Sequence, residues 1–214
     1  MQDDLVIQRP DAASTPADEL VLIFHGVGSR AEDLRPLGQA LAPHRPRAWI
    51  VSVRSPMASA FGAGWQWFSV QGVTEANRPA RVAAAMPAFL QTVDAWQRET
   101  GAVAERTTLI GFSQGAIMVL EATQQTRPVA GRVIAIAGRF AQPPQVVPDG
   151  TLLHLMHGEQ DRVMPVDLAV DADRQWRALG ARATLDLYPG LGHGIDARVV
   201  EGIVRRLGKS VAKG

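Results

Sequence analysis

Arg106-Thr107-Thr108-Leu109-Ile110-Gly111-Phe112-Ser113-Gln114-Gly115-Ala116-Ile117-Met118-Val119-Leu120-Glu121-Ala122-Thr123 holds a strand, a sharp turn and a helix in direct succession. Arg106–Ile110 is β-branched and apolar and reads as a short buried strand. Ala116–Thr123 reads as a helix. Between them, Gly-Phe-Ser-Gln-Gly has the pattern G-x-S-x-G. A turn this tight forces Ser113 into strained backbone geometry and lifts its hydroxyl clear of the sheet. Gly111 and Gly115 flank it because a Cβ at either position would clash where strand and helix pack closely. The helix that follows aims its positive N-terminal end at the place where an oxyanion would form.

Three other segments carry matching chemistry. Leu20-Val21-Leu22-Ile23-Phe24-His25-Gly26-Val27-Gly28 is an apolar run ending in a glycine-bearing loop. It reads as a buried parallel strand whose carboxyl end faces ligand. The backbone N–H of Val27, paired with that of Gln114, is the candidate oxyanion hole. His25 reads as a brace for this loop rather than as a base. Leu152–Pro165 repeats the strand-to-loop pattern, and its loop carries Glu159 and Asp161. Asp161 is the candidate triad acid, with Glu159 as competitor and Asp196 as the other carboxylate that could meet His193. His154 alternates with apolar residues and reads as a core histidine, and His157 as a second loop brace. Leu187-Tyr188-Pro189-Gly190-Leu191-Gly192-His193-Gly194-Ile195 places His193 in a glycine-rich loop between a strand and the closing helix. The chain order Ser113, Asp161, His193 is that of the α/β-hydrolase triad.

The rest of the chain agrees. Its 214 residues suit one domain over positions 1–214 with a substantial core. Strands alternate with helices, which predicts an α/β fold with a mostly parallel sheet and helices on both faces. Strands are expected at Asp4–Gln8, Leu20–Phe24, Ala48–Val53, Arg132–Ala137 and Ala183–Tyr188, and helices at Ala31–Leu41 and Val166–Leu179. A long helix after Asn77 carries Val82, Met86, Phe89, Val93 and Trp96 at helical spacing, with Pro87 expected to kink it. Val199, Val200, Ile203, Val204 and Leu207 give the closing helix its apolar face. No insertion is long enough for a large cap domain.

Charge and composition exclude several classes. The net charge is +1 and basic residues are interspersed with acidic ones, so nucleic acid is not an expected partner. With no cysteine, disulfides and thiolate metal sites are excluded. No cofactor and no metal is expected. No apolar run approaches the roughly 20 residues of a membrane span. Met1-Gln2-Asp3-Asp4 lacks an apolar signal region, which points to a cytoplasmic enzyme. Ser55–Gly72 breaks the strand–helix alternation and clusters Trp65, Trp67 and Phe68 beside Gly62, Ala63 and Gly64. It is read as an apolar wall beside Ser113 that holds an acyl chain, or as a loop packed down by its own aromatics.

Gly111-Phe112-Ser113-Gln114-Gly115, Phe24-His25-Gly26-Val27-Gly28, Trp67-Phe68, His157-Gly158-Glu159-Gln160-Asp161 and Gly192-His193 together resemble the phospholipase/carboxylesterase family, which includes acyl-protein thioesterases and small bacterial carboxylesterases. Trp67–Gly72 and Ala116–Glu121 are most similar to a subgroup of bacterial esterases. The resemblance covers nearly the whole chain. It implies a compact α/β-hydrolase, with Ser113 as nucleophile, Asp161 and His193 as its partners, and the amides of Val27 and Gln114 as oxyanion hole. It also implies a small acyl ester or thioester as substrate. Two positions depart from the family pattern: Ser29 and Ser69 stand where many members carry an acidic residue. Protein depalmitoylation is therefore not carried over. A non-catalytic binding module on a hydrolase scaffold, and a peptidase or acyl transferase with the same triad, stay open as alternatives.

Overall fold

A computed structural model describes residues 3–10, 17–60 and 62–208. Most of the polar segment ahead of the second strand lies outside these residues, as do Met1, Gln2 and the last six positions. Seven strands form one sheet: β1 (Leu5–Gln8), β2 (Glu19–Phe24), β3 (Ala48–Val53), β6 (Thr107–Phe112), β7 (Arg132–Ile136), β8 (Leu152–Gly158) and β9 (Ala183–Tyr188). Their spatial order is β1-β3-β2-β6-β7-β8-β9. Only β1 runs antiparallel to its neighbour; every other pairing is parallel. Two short strands, β4 (Met57–Ala58) and β5 (Trp65–Gln66), form a separate hairpin within the segment that breaks the alternation.

Both faces of the sheet are covered, which explains why its strands read as continuous apolar runs. Leu20, Leu22 and Phe24 of β2 face a core shared with α2 (Arg78–Thr100), α3 (Gln114–Ala122) and α4 (Asp167–Ala178). Val21 and Ile23, one residue out of phase, face a core shared with α1 (Arg35–Leu41) and α5 (Ala197–Gly208). The two-residue period of a strand thus divides one sequence between two cores. Val82, Met86, Phe89, Val93 and Trp96 are all buried along α2, as their spacing predicts. The helix continues past Pro87. Pro87 and Ala83 lie on the exposed face, where water can reach the carbonyl that proline leaves without a donor. Ahead of α1, Ala31–Leu34 is a tighter 3-10 turn rather than α-helix. Pro36 stands in the first turn of α1 and lacks the N–H that would bond the Glu32 carbonyl four residues back; the Arg35 N–H takes that carbonyl instead, in the i+3 pattern of a 3-10 turn.

Strand order reverses direction between β2 and β6. From β2 the chain moves outward to β3, then returns across β2 to lay down β6 and continues the other way. Such a switch point opens a crevice at the carboxyl ends of the strands. Ser113 follows β6 there and His25–Gly28 follows β2.

Glycine makes the close approach at this point possible. A Cβ on Gly111 would stand 2.4 Å from the Gly115 carbonyl oxygen, and one on Gly115 would stand 2.2 Å from that of Phe24. Both obstacles are backbone and cannot rotate away. Gly115→Ala is therefore expected to push α3 off β2, at a cost of about 2 kcal/mol or more. Thermal unfolding should show a loss of roughly 4–8 °C. An unchanged midpoint would mean that helix and strand are not in this contact.

Candidate active site

Ser113 has φ 54 and ψ −113, a region that non-glycine residues rarely occupy and that costs about 1–3 kcal/mol. The surroundings hold it there. Its amide donates to the Ile136 carbonyl at 2.9 Å, and its carbonyl accepts from Ile117 of α3 at 3.2 Å. Its hydroxyl is directed to His193, 2.8 Å from Nε2.

Asp161 is held from behind by its own loop. Its Oδ1 accepts the backbone N–H groups of Val163 at 2.9 Å and Met164 at 2.8 Å. Its Oδ2 lies 2.7 Å from Nδ1 of His193, which donates to it. Burial alone would push the Asp161 carboxyl up. The Met164 amide, the His193 ring and the Val163 amide together outweigh burial and hold it below its usual range. A group depressed in this way stabilises the fold above its unfolded pKa, and that contribution is lost only as the pH falls through the lower folded value.

The loops carrying Asp161 and His193 are zipped together. Glu159 N–H donates to Tyr188 O and Gln160 N–H to Leu191 O. A Cβ on Gly158 would stand 2.3 Å from Leu191 O, so only glycine permits this approach. The His193 ring also packs against Phe112, with centroids 5.1 Å apart. Glu159 is exposed, and Asp196 accepts the Val199 N–H in the first turn of α5. Of the candidate carboxylates, Asp161 is the one brought to His193.

The other histidines hold backbone. His25 is fully buried; its Nδ1 donates to Gly26 O at 2.7 Å and its Nε2 accepts from Ser55 N–H at 3.1 Å. His157 Nε2 donates to Met164 O at 2.7 Å and stands 3.4 Å from Asp161 Oδ2. Burial lowers the pKa of both rings, favouring the neutral form. His154, in β8, pairs with Thr184 of β9. Sequence reasoning missed Val163 and Met164, whose contribution is backbone N–H and leaves no side-chain signal.

Of the two readings of the aromatic cluster, packing by its own aromatics accounts for Trp67 and Phe68. Trp67 and Phe68 are 2% and 4% exposed and belong to the core. The Trp67 ring packs edge-on against Phe24 and Phe89. Trp65 is half-buried, with the Arg54 guanidinium 3.9 Å over its ring. A cavity of about 690 Å³ does lie against Trp67, Phe68, Met57, Ala85 and Phe89, but neither Ser113 nor His193 lines it. Trp67 and Phe68 therefore pack into the core and border this cavity. The physical reason is area: in a segment of small residues, the large rings gain most by covering α2 and β2. Among the described residues, no group of three or more His, Asp and Glu side chains could hold a metal ion.

Comparison with known proteins agrees with this architecture. The family model described as phospholipase/carboxylesterase matches residues 3–211. The chain belongs to that family. It is an enzyme of the carboxylesterase class with an α/β-hydrolase fold. It is 44% identical to esterase YpfH of Escherichia coli over 211 residues, covering 99% of this chain and 90% of that protein. Acyl-protein thioesterase 1 of Kluyveromyces lactis is 24% identical over 223 residues, covering 95% of this chain and 96% of that protein. The crystal structure of esterase PE8 superposes with a TM-score of 0.84 at 29% identity, covering 93% of this chain and 95% of that one. No helix among the described residues of this carboxylesterase-family chain is long and apolar enough to cross a membrane.

Proposed function

We propose that this protein is a serine esterase that hydrolyses carboxylic esters or thioesters of short to medium acyl chains through an acyl-enzyme on Ser113. The observation that carries this reading is the continuous relay Ser113 Oγ–His193 Nε2, His193 Nδ1–Asp161 Oδ2, at 2.8 and 2.7 Å. His193 takes the proton of Ser113 as the hydroxyl attacks the acyl carbonyl. Asp161, ionised, keeps the proton of the neutral ring on Nδ1 and stabilises the imidazolium that forms. The amides of Val27 and Gln114 receive the developing oxyanion, a contribution of about 2.7–4 kcal/mol for one donor in related chemistry. His193 returns the proton to the departing alcohol or thiol. Water then repeats the attack on the acyl-enzyme and releases the acid.

Val27 adjoins Gly26, whose backbone closes on Ser113, and Val163 adjoins the Asp161 loop; they are 37% and 70% exposed. An acyl chain that reached either side chain would meet apolar surface open to solvent. A fully buried methylene is worth about 0.8 kcal/mol, or about fourfold in kcat/KM. With p-nitrophenyl esters of graded length, kcat/KM should rise from acetate by less than this factor per methylene and flatten beyond medium chains. A rise that continues through palmitate would overturn the short-to-medium assignment. Failure to turn over any ester or thioester in the series would favour a binding module on the same scaffold.

A further inference from the structure

We propose that the Trp65–Phe68 segment, locked to the side chain of Gln114, is the positioning element of the oxyanion hole. The proposal rests on the reading that the Val27 and Gln114 amides are the oxyanion donors. These two amides come from different parts of the chain, one on the loop after β2 and one at the start of α3. A loop with Gly26 and Gly28 on either side of Val27 has high backbone freedom of its own. Catalysis requires both N–H groups within 2.7–3.1 Å of one developing charge, and fixed before that charge appears.

The segment bridges the two. On one side it holds the loop: Gly28 N–H donates to Trp65 O at 2.8 Å, and Trp65 N–H donates to Ser29 O at 2.9 Å. The Trp67 indole Nε1–H donates to His25 O at 2.8 Å. Val27 thus sits between two tethered positions, while its own amide donates to no group among the described residues. Gly64 lets the hairpin come this near, since a Cβ there would lie 1.9 Å from Gly28 O.

On the other side the segment holds α3. Gln114 Oε1 accepts the Trp67 backbone N–H at 2.8 Å, and Gln114 Nε2 donates to Phe68 O at 2.7 Å. The carboxamide spans the Trp67 N–H and the Phe68 carbonyl. It needs one acceptor and one donor on the same short side chain, which a glutamate or a methionine lacks. Gln114 is 3% exposed, so these bonds are shielded from water. The residue beside the nucleophile therefore holds one donor through its main chain and aligns the other through its side chain.

Gln114→Met keeps the length and removes both bonds. Trp67→Phe keeps an aromatic ring in the core and removes the tether to His25. For each variant we would measure kcat and KM on p-nitrophenyl butyrate, affinity for butylboronic acid, whose tetrahedral adduct occupies the oxyanion hole, and the melting temperature. Kinetics are read at temperatures where the variant is folded. The expected result is a fall in kcat of about 10–100-fold, less than the loss of a whole donor. KM should move little, and boronate affinity should fall in parallel with kcat/KM. If Gln114→Met does not fold, Trp67→Phe carries the test. Wild-type kcat in a folded variant, or a loss confined to KM, would overturn the proposal. The underlying serine-esterase reading fails separately, as absence of Ser113-dependent turnover in the unmodified enzyme.

Discussion

Ser113→Ala is expected to lower kcat on any ester substrate by about six orders of magnitude, the scale seen when an activated serine is removed. The fold should survive. Alanine has the same Cβ, so φ 54 is no harder to reach than for serine, and the hydrogen bonds that hold the turn are main-chain. The hydroxyl bonds to His193 Nε2, and the His193 side chain is 17% exposed, so water can replace the lost partner. The melting temperature should therefore stay within a few degrees while turnover disappears. A fluorophosphonate should label the wild type at Ser113 and leave the variant unlabelled, as read by peptide mass. Turnover near the wild-type rate in Ser113→Ala, or labelling at another serine, would sink the assignment.

The second large effect is expected for Asp161→Asn, about four orders of magnitude in kcat. Both carboxylate oxygens of Asp161 accept hydrogen bonds: Oδ1 from the Val163 and Met164 amides, Oδ2 from His193 Nδ1. Asparagine has only one oxygen. The two amides are fixed donors, so that oxygen must face them, and the NH₂ group is then directed at His193. The ring can answer only by presenting Nδ1 as an acceptor and moving its proton to Nε2. Nε2 then points a proton at Ser113 and cannot take one. The site also loses a carboxylate whose charge the Met164 and Val163 amides and the His193 ring favour, so some stability should be lost as well. The measurements are kcat, the melting temperature and the nitrogen resonances of His193, which report the tautomer directly. A loss of less than tenfold, or a larger loss from Glu159→Gln, would show that Asp161 is not the acid.

Much of the architecture was legible in the amino-acid pattern because each element left a local mark. Ala48–Val53 and Ala183–Tyr188 were expected and found with identical bounds, since a short apolar run in the first and a short apolar–polar alternation ending at Pro189-Gly190 in the second leave little freedom of assignment. The stripe on α2 was legible because a long helix repeats its buried face several times. The 3-10 turn at Ala31–Leu34 was not, because its apolar spacing resembles an α-helix and the decision rests with Pro36. The aromatic segment stays open between two readings for a related reason: Trp65, Trp67 and Phe68 lie in no helix or strand long enough to set a face, so nothing local says whether a ring turns to solvent, to substrate or to the core.

By itself the sequence determined the sheet of buried parallel strands, the helices that cover it and the strained turn at Ser113. Periodicity and glycine placement are properties of a few consecutive residues, and any fold they enter must respect them. Tertiary structure alone decided that Asp161, rather than Glu159 or Asp196, meets His193. It also decided that Trp67 turns inward, and that the Gln114 side chain reaches across to Trp67 and Phe68. These outcomes join loops that are far apart in the chain, and a hydrogen bond between them depends on how two strand ends close in space. Distances of 2.7–2.8 Å between such groups follow from the packing of the whole sheet and its helices, which no local pattern encodes.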